Sequence, residues 1–385
     1  MSNALGDVDQ ALRQAVNAQT VPGVVAIGAN DRGIVYEGAF GPNVTADSVF
    51  WIASMTKAIT ATAAMQLVEQ GKLQLDEPIG KVLPDLQSPK VLEGFDDSGA
   101  PKLRPAKRPI TLRHLLTHTA GFSYAIWSEK LVRYQKVTGL PDVGTCKYAS
   151  LLAPLEFDPG DRWEYGINID WAGKAVEAVS DQSLEVYFRE NIFGPLGMTD
   201  TGFLISSAQK ARVVQMYKRR KDGSLEPMSF EMPQRPEFFM GGGALFSTPR
   251  NYMAFTQMLL RDGTYNGARV LKPETVALMQ QNSIGDLNVT TLKTIQPELS
   301  GDANLFPGMP QKWGLSFDIN TQRGPAGRSA GSIAWAGLFN TYFWIDPTQK
   351  VTGVIMTQLL PFADPHVLDL FGKFENGLYR AVAPA

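Results

Sequence analysis

Residues 50–60 read FWIASMTKAIT, which sets Ser54 and Lys57 one helical turn apart at the head of a segment otherwise suited to a protein interior. From Ala53 to Gln70 the spacing is helical with apolar or small residues on nearly every face, and Gly71 follows where a C-cap is expected. A helix that is apolar all round belongs inside. A lysine there has to be paired, neutralised or solvated by a cleft, and desolvation lowers its pKa toward that of a usable base. The Ser54 hydroxyl, placed in the first turn, lies among free backbone N–H groups and the positive end of the helix dipole, which favour a developing oxyanion. The Ser-x-x-Lys pattern alone is weak, because it recurs at Ser207 to Lys210 within the polar stretch SSAQKAR, where a surface helix accounts for it. Context singles out Ser54.

Outward from this segment, residues 7–18 read as an amphipathic helix, and 23–30 and 33–41 alternate like two strands around an Asn-Asp-Arg-Gly turn. The region 76–310 consists of short helical pieces broken by Pro and Gly. Beyond it, 335–346 and 350–358 return as strands about a Pro-Thr-Gln turn, and 366–382 closes with a helix. Strands at both ends with helices between them imply one antiparallel sheet assembled from the two termini and flanked by helices. The expected architecture is α/β (α+β), with a discontinuous α/β domain (1–75 and 311–385), a mainly helical domain (76–310) and the active site between them.

Composition narrows the function classes. The 385 residues, 44% apolar, are enough for a sizeable core, and the 36 basic and 38 acidic side chains nearly cancel. KRRK at 218–221 is the only dense basic patch and reads as a solvated loop, so no nucleic-acid partner is expected. The N-terminus lacks a basic region followed by an apolar one, and no stretch approaches the ~18 apolar residues of a spanning helix. A cytoplasmic protein with no membrane partner is expected. The lone Cys146 excludes an internal disulfide and a cysteine metal cluster.

Two further patterns compete for the chemistry. Gly327 to Gly331 fits G-x-S-x-G around Ser329, but that nucleophile elbow needs a strand before it, a helix after it and a histidine partner downstream. Here a loop precedes, a strand follows and only His366 lies downstream. His114 and His118 stand four apart, a zinc-ligand spacing, but no metalloprotease glutamate accompanies them. His118 then bonds carbonyls at a helix end and His114 packs. With no histidine base, lysine or tyrosine has to carry the proton.

Taken together, SMTK at a buried helix start, LRHLLTHTAGF (112–122), PG-x-x-WEYG (159–166), PLGMTDTGF (195–203) and the late WAG (335–337) resemble the serine β-lactamase and penicillin-binding-protein superfamily. Within it the chain is most similar to the class C β-lactamase-related esterases, the family VIII carboxylesterases. The resemblance implies Ser54 as the acylated nucleophile, Lys57 as its partner and Tyr165 as the phenol sharing the proton shuttle. It implies an oxyanion hole from the N–H groups of Ser54 and Leu338, with Trp335, Ala336, Gly337 and Tyr124 lining the substrate site. Two departures matter. The superfamily's Tyr-x-Asn is Tyr165-Gly166-Ile167 here, with Asn168 one place late, and its Lys-Thr-Gly is Trp335-Ala336-Gly337. An indole supplies an apolar face and one N–H, not a cation for a substrate carboxylate.

The expectation is a carboxylesterase acting on short- to medium-chain esters through a serine acyl-enzyme, with no metal or organic cofactor and a small-molecule ester as its partner. Acyl transfer from the same intermediate, and β-lactamase- or DD-peptidase-like hydrolysis, stay open, as does homo-oligomerisation. An acylated, non-enzymatic receptor would call for an anchor or signalling domain, and neither is expected here.

Overall fold

The computed structural model describes residues 2 to 382. Helix α1 (Ser2–Asn17) is followed by a hairpin of β1 (Val24–Asn30) and β2 (Gly33–Phe40). Its turn is tied by the Asn30 side chain, which accepts from the N–H groups of Arg32 and Gly33 at 2.9 and 3.1 Å. The remaining strands of the sheet come from the other end of the chain. They are β3 (Gln311–Trp313), β4 (Asp318–Asn320), β5 (Ile333–Gly337), β6 (Thr341–Asp346) and β7 (Val351–Met356). The seven strands run in the order β3-β4-β5-β6-β7-β1-β2, every neighbouring pair antiparallel. The junction of the two termini is the β1–β7 pair, where Val25 stands opposite Met356.

Alternation along β6 shows how the sheet divides its faces. Trp344 meets Phe371, Phe374 and Tyr379 of the closing helix, Pro365–Val382. Its neighbour Phe343 points the other way, onto Tyr252 of the helix Pro249–Leu260. Behind that second face lies α2 (Thr56–Glu69), buried from Thr56 to Leu67, as its sequence demanded.

Three local readings change. The α-helix begins at Thr56, and Ser54 sits in a 3-10 turn, Ala53–Met55, entered through Ala53 at φ +43°. The stretch 335–346 is two strands rather than one, because Asn340 takes a left-handed φ of +59°. Its side chain locks that turn by donating to the carbonyls of Leu359 and Pro361 at 2.7 and 2.8 Å. The middle region also holds small sheets among its helices, such as Lys90–Phe95 with Pro101–Pro105. KRRK lies partly in one of them, Met216–Arg219, and is partly compensated: Lys218 and Arg220 share Glu226, and Arg219 pairs with Asp364.

Candidate active site

Lys57 is fully buried. Its Nζ lies 3.1 Å from Ser54 Oγ, 3.1 Å from the Tyr124 hydroxyl and 2.6 Å from the Gly242 carbonyl oxygen. It also stands over the Tyr165 ring, 4.6 Å from its centroid. A carbonyl can only accept, so Gly242 takes one N–H of the lysine. When the amine is neutral and a second N–H goes to Tyr124, the lone pair is left for the Ser54 proton. Burial pushes the Lys57 amine down, to about 7, against the opposing pull of Asp170.

The surroundings of this amine are held from the sequence upward. The carbonyls of Gly241, Gly242 and Gly243 are each capped by one side chain: Thr60 Oγ1 at 2.7 Å, Lys57, and Trp51 Nε1 at 2.6 Å. Asp170, fully buried on the helix Asn168–Ser180, accepts the Gly242 N–H at 2.8 Å, while its other oxygen has no partner. Burial raises the Asp170 carboxyl and the Lys57 charge opposes the rise.

Tyr165 and Trp335 meet beside Ser54. Trp335 Nε1 donates to the Tyr165 hydroxyl at 2.9 Å, with the rings 4.9 Å apart. Burial pushes the Tyr165 phenol up, while hydrogen bonds with Ser54 and Trp335 pull against it. The end of β5 abuts the Ser54 turn so closely that a Cβ on Gly337 would lie 2.3 Å from the Ile52 carbonyl oxygen. Leu338 follows directly. These residues open onto a cavity of about 350 Å³ whose further walls include Trp51, Met228, Phe230, Met240 and Phe339. Asp142 is the only charged residue among those lining it.

This arrangement, a serine hydroxyl against a desolvated amine and a phenol, belongs to a chain that the Beta-lactamase family profile matches over residues 8–375. The chain belongs to the Beta-lactamase family. Among its relatives it is 34% identical to monacolin J acid methylbutanoyltransferase of Aspergillus terreus, over 97% of this chain and 95% of that one. It is 29% identical to lovastatin esterase of Penicillium rubens, over 97% and 98% of the two chains. Among solved structures, the LovD6 mutant of simvastatin synthase from Aspergillus terreus superposes with a TM-score of 0.87 at 33% identity, covering 99% of this chain and 98% of that one.

Within this family member the sequence-derived residues Ser54, Lys57, Tyr165 and Trp335 come together, and Ala336, Gly337, Leu338 and Tyr124 line the same cavity. Tyr124, expected to touch substrate, is also bonded to the lysine. Asn168 is turned out of the cavity, its amide bonded to His118 and the Phe122 carbonyl. The two histidines differ from expectation. His114 closes a capping box with Thr111, and His118 accepts at its ring nitrogen instead of bonding helix-end carbonyls. Ser329 lies elsewhere, its hydroxyl accepting from Gln349 at 2.9 Å. Among the described residues, no helix is long and apolar enough to cross a membrane. Asp170 and the glycine run 241–243 escaped the sequence reading, although an acid inside the apolar stretch NIDWAGKAV was the signal that could have found Asp170.

Proposed function

We propose that this chain transfers acyl groups from carboxylic esters through an acyl-enzyme on Ser54, with an apolar alcohol as preferred acceptor and water as the competing one. The observation that carries this reading is the cavity beside Ser54. At about 350 Å³ it falls within the ~300–1,000 Å³ of pockets for drug-sized ligands, more than a short acyl chain requires. Its apolar walls offer an alcohol a place that water gains nothing from. The relatives support acyl transfer and ester cleavage alike, one being a methylbutanoyltransferase by name and another an esterase.

In this mechanism neutral Lys57 takes the Ser54 proton and Oγ attacks the ester carbonyl. The N–H groups of Ser54 and Leu338 receive the oxyanion, a contribution of about 3 kcal/mol per donor. Tyr165 gives its own phenolic proton to the leaving alkoxide, which departs as an alcohol, and the phenolate is left beside the Lys57 ammonium that holds the Ser54 proton. The incoming alcohol gives its proton to the Tyr165 phenolate, its oxygen forms the new ester bond as the bond from the acyl carbon to Oγ breaks, and Lys57 returns its proton to Ser54. Trp335 holds the phenol oxygen of Tyr165 in place and lines the acyl side.

The test uses a p-nitrophenyl butanoate donor with and without an added apolar alcohol. The alcohol is expected to divert the acyl group into a new ester in proportion to its concentration. Ser54→Ala is expected to abolish p-nitrophenol release and organophosphonate labelling, and Ser329→Ala to keep both. Free acid as the sole product at every alcohol concentration would return the reading to simple hydrolysis, and a label on Ser329 would overturn the nucleophile.

A further inference from the structure

Tyr165 lies in a stretch, 161–165, with no helix or strand to hold it, so its phenol needs another source of fixed position. Both of its chain neighbours are tied to one residue. The Glu164 N–H donates to the His118 carbonyl at 2.9 Å, and the Gly166 N–H points to His118 Nδ1 at 3.4 Å. Asn168 meets the same ring nitrogen at 3.0 Å and the Phe122 carbonyl at 3.4 Å through one amide nitrogen. Since a carbonyl only accepts, that atom of Asn168 is its NH₂ group, and two donors converge on Nδ1. Nδ1 is therefore an acceptor and His118 is the neutral tautomer carrying its proton on Nε2.

The rest of the environment fits this single state. His118 is fully buried and Nε2 has no hydrogen-bond partner, so an imidazolium would bury an uncompensated charge there, whereas the neutral ring leaves only one N–H unpaired. The imidazole packs among the rings of Tyr165 at 4.7 Å and Trp313 at 5.3 Å, which accommodate a neutral ring. Its backbone is left-handed at φ +58°, a conformation that costs energy outside glycine and persists where surrounding bonds fix it. Gly166 presses against the same segment, since a Cβ there would lie 2.4 Å from the Phe122 carbonyl oxygen.

We propose that His118 is a positioning residue for Tyr165, its Nδ1 collecting the N–H groups that set where the phenol stands beside Ser54. The histidine touches no substrate and exchanges no proton. This rests on the reading of Tyr165 given above.

His118→Asn places an amide oxygen near where Nδ1 stood and keeps the acceptor; His118→Leu fills the space without one. Turnover is measured per active site titrated with an organophosphonate, so that misfolded molecules drop out of the count. His118→Leu is expected to lower kcat per titrated site roughly ten- to a hundredfold, the order that a displacement of about 1 Å costs, with KM little changed. His118→Asn is expected to recover most of that loss. Because His118 acts through Tyr165, the double variant H118L/Y165F is expected to be no slower than Y165F. Unchanged kcat per site in His118→Leu, or losses that multiply in the double variant, would overturn the proposal. Should the leucine variant not fold, His118→Gln, whose carbonyl reaches past the Nδ1 position, is compared with His118→Asn, and equal rates would overturn it. Wild-type turnover in Y165F would instead overturn the role of Tyr165 itself.

Discussion

A lysine with no access to water is costly as an ammonium, and Lys57 answers this by sitting near neutrality with one hydrogen-bonded carbonyl and one nearby acid. In the proposed mechanism only the neutral amine accepts the Ser54 proton, so kcat/KM is expected to rise with pH through a midpoint near about 7. Asp170 acts in the opposite sense to burial, because its negative charge favours the protonated amine. Asp170→Asn keeps an oxygen for the Gly242 N–H and removes that charge. The midpoint is then expected to move to lower pH by about one unit, the order of effect of a close charge on a buried group. A pH–rate profile of kcat/KM for both proteins checks this. A midpoint that stays put or moves upward would remove Asp170 from the control of the base.

In the proposed mechanism the hairpin of β5 and β6 supplies the Leu338 N–H to the oxyanion, and Gly337 is where this hairpin presses on the turn before Ser54. Any Cβ there would meet the Ile52 carbonyl and the Thr341 hydroxyl at 2.3 Å, so strand and serine turn would have to part. Gly337→Ala is expected to lower kcat on the order of a hundredfold through loss of one oxyanion donor, and KM much less. Steady-state kinetics with a melting curve separates this from unfolding, since a loss of kcat matched by a collapse in Tm would mean a purely structural glycine. Such contacts explain what the sequence could and could not disclose. Ser54 and Lys57 were legible because a lysine in an apolar helix is a chemical conflict visible in one dimension. The sheet from both termini was legible through alternation in 23–41 and through 335–346 and 350–358 returning as strands about a Pro-Thr-Gln turn. Tyr165 was reachable only by resemblance, because its place depends on His118, 47 residues away in the chain by the numbering. The turn at Asn340 was missed because apolar residues continue through it, and only the left-handed backbone breaks the strand.

Viewed whole, the molecule is nearly neutral, and its cavity carries no cation to receive a substrate carboxylate. By the motif resemblance Trp335 takes the place of a lysine, and its N–H is already spent on Tyr165. A charge-assisted hydrogen bond to a carboxylate is worth about 1.5 to 3 kcal/mol, so its absence corresponds to roughly ten- to a hundredfold in kcat/KM. Asp142 adds repulsion to that loss. It is exposed, and one oxygen is engaged by the Gly144 N–H at 2.8 Å. Its effect is therefore screened and worth only a few-fold at low salt. For two esters matched in size, the neutral one is expected to be turned over at least tenfold more efficiently than one bearing a carboxylate on its acyl or alcohol side. Asp142→Asn preserves the cap, because an asparagine oxygen accepts the same N–H. It is expected to narrow the gap two- to threefold at low ionic strength and not at high, the signature of a screened charge. Equal kcat/KM for the two esters in the wild-type protein would mean that a cation reaches the substrate from a direction the cavity walls do not show, and the reading of Trp335 would fall with it.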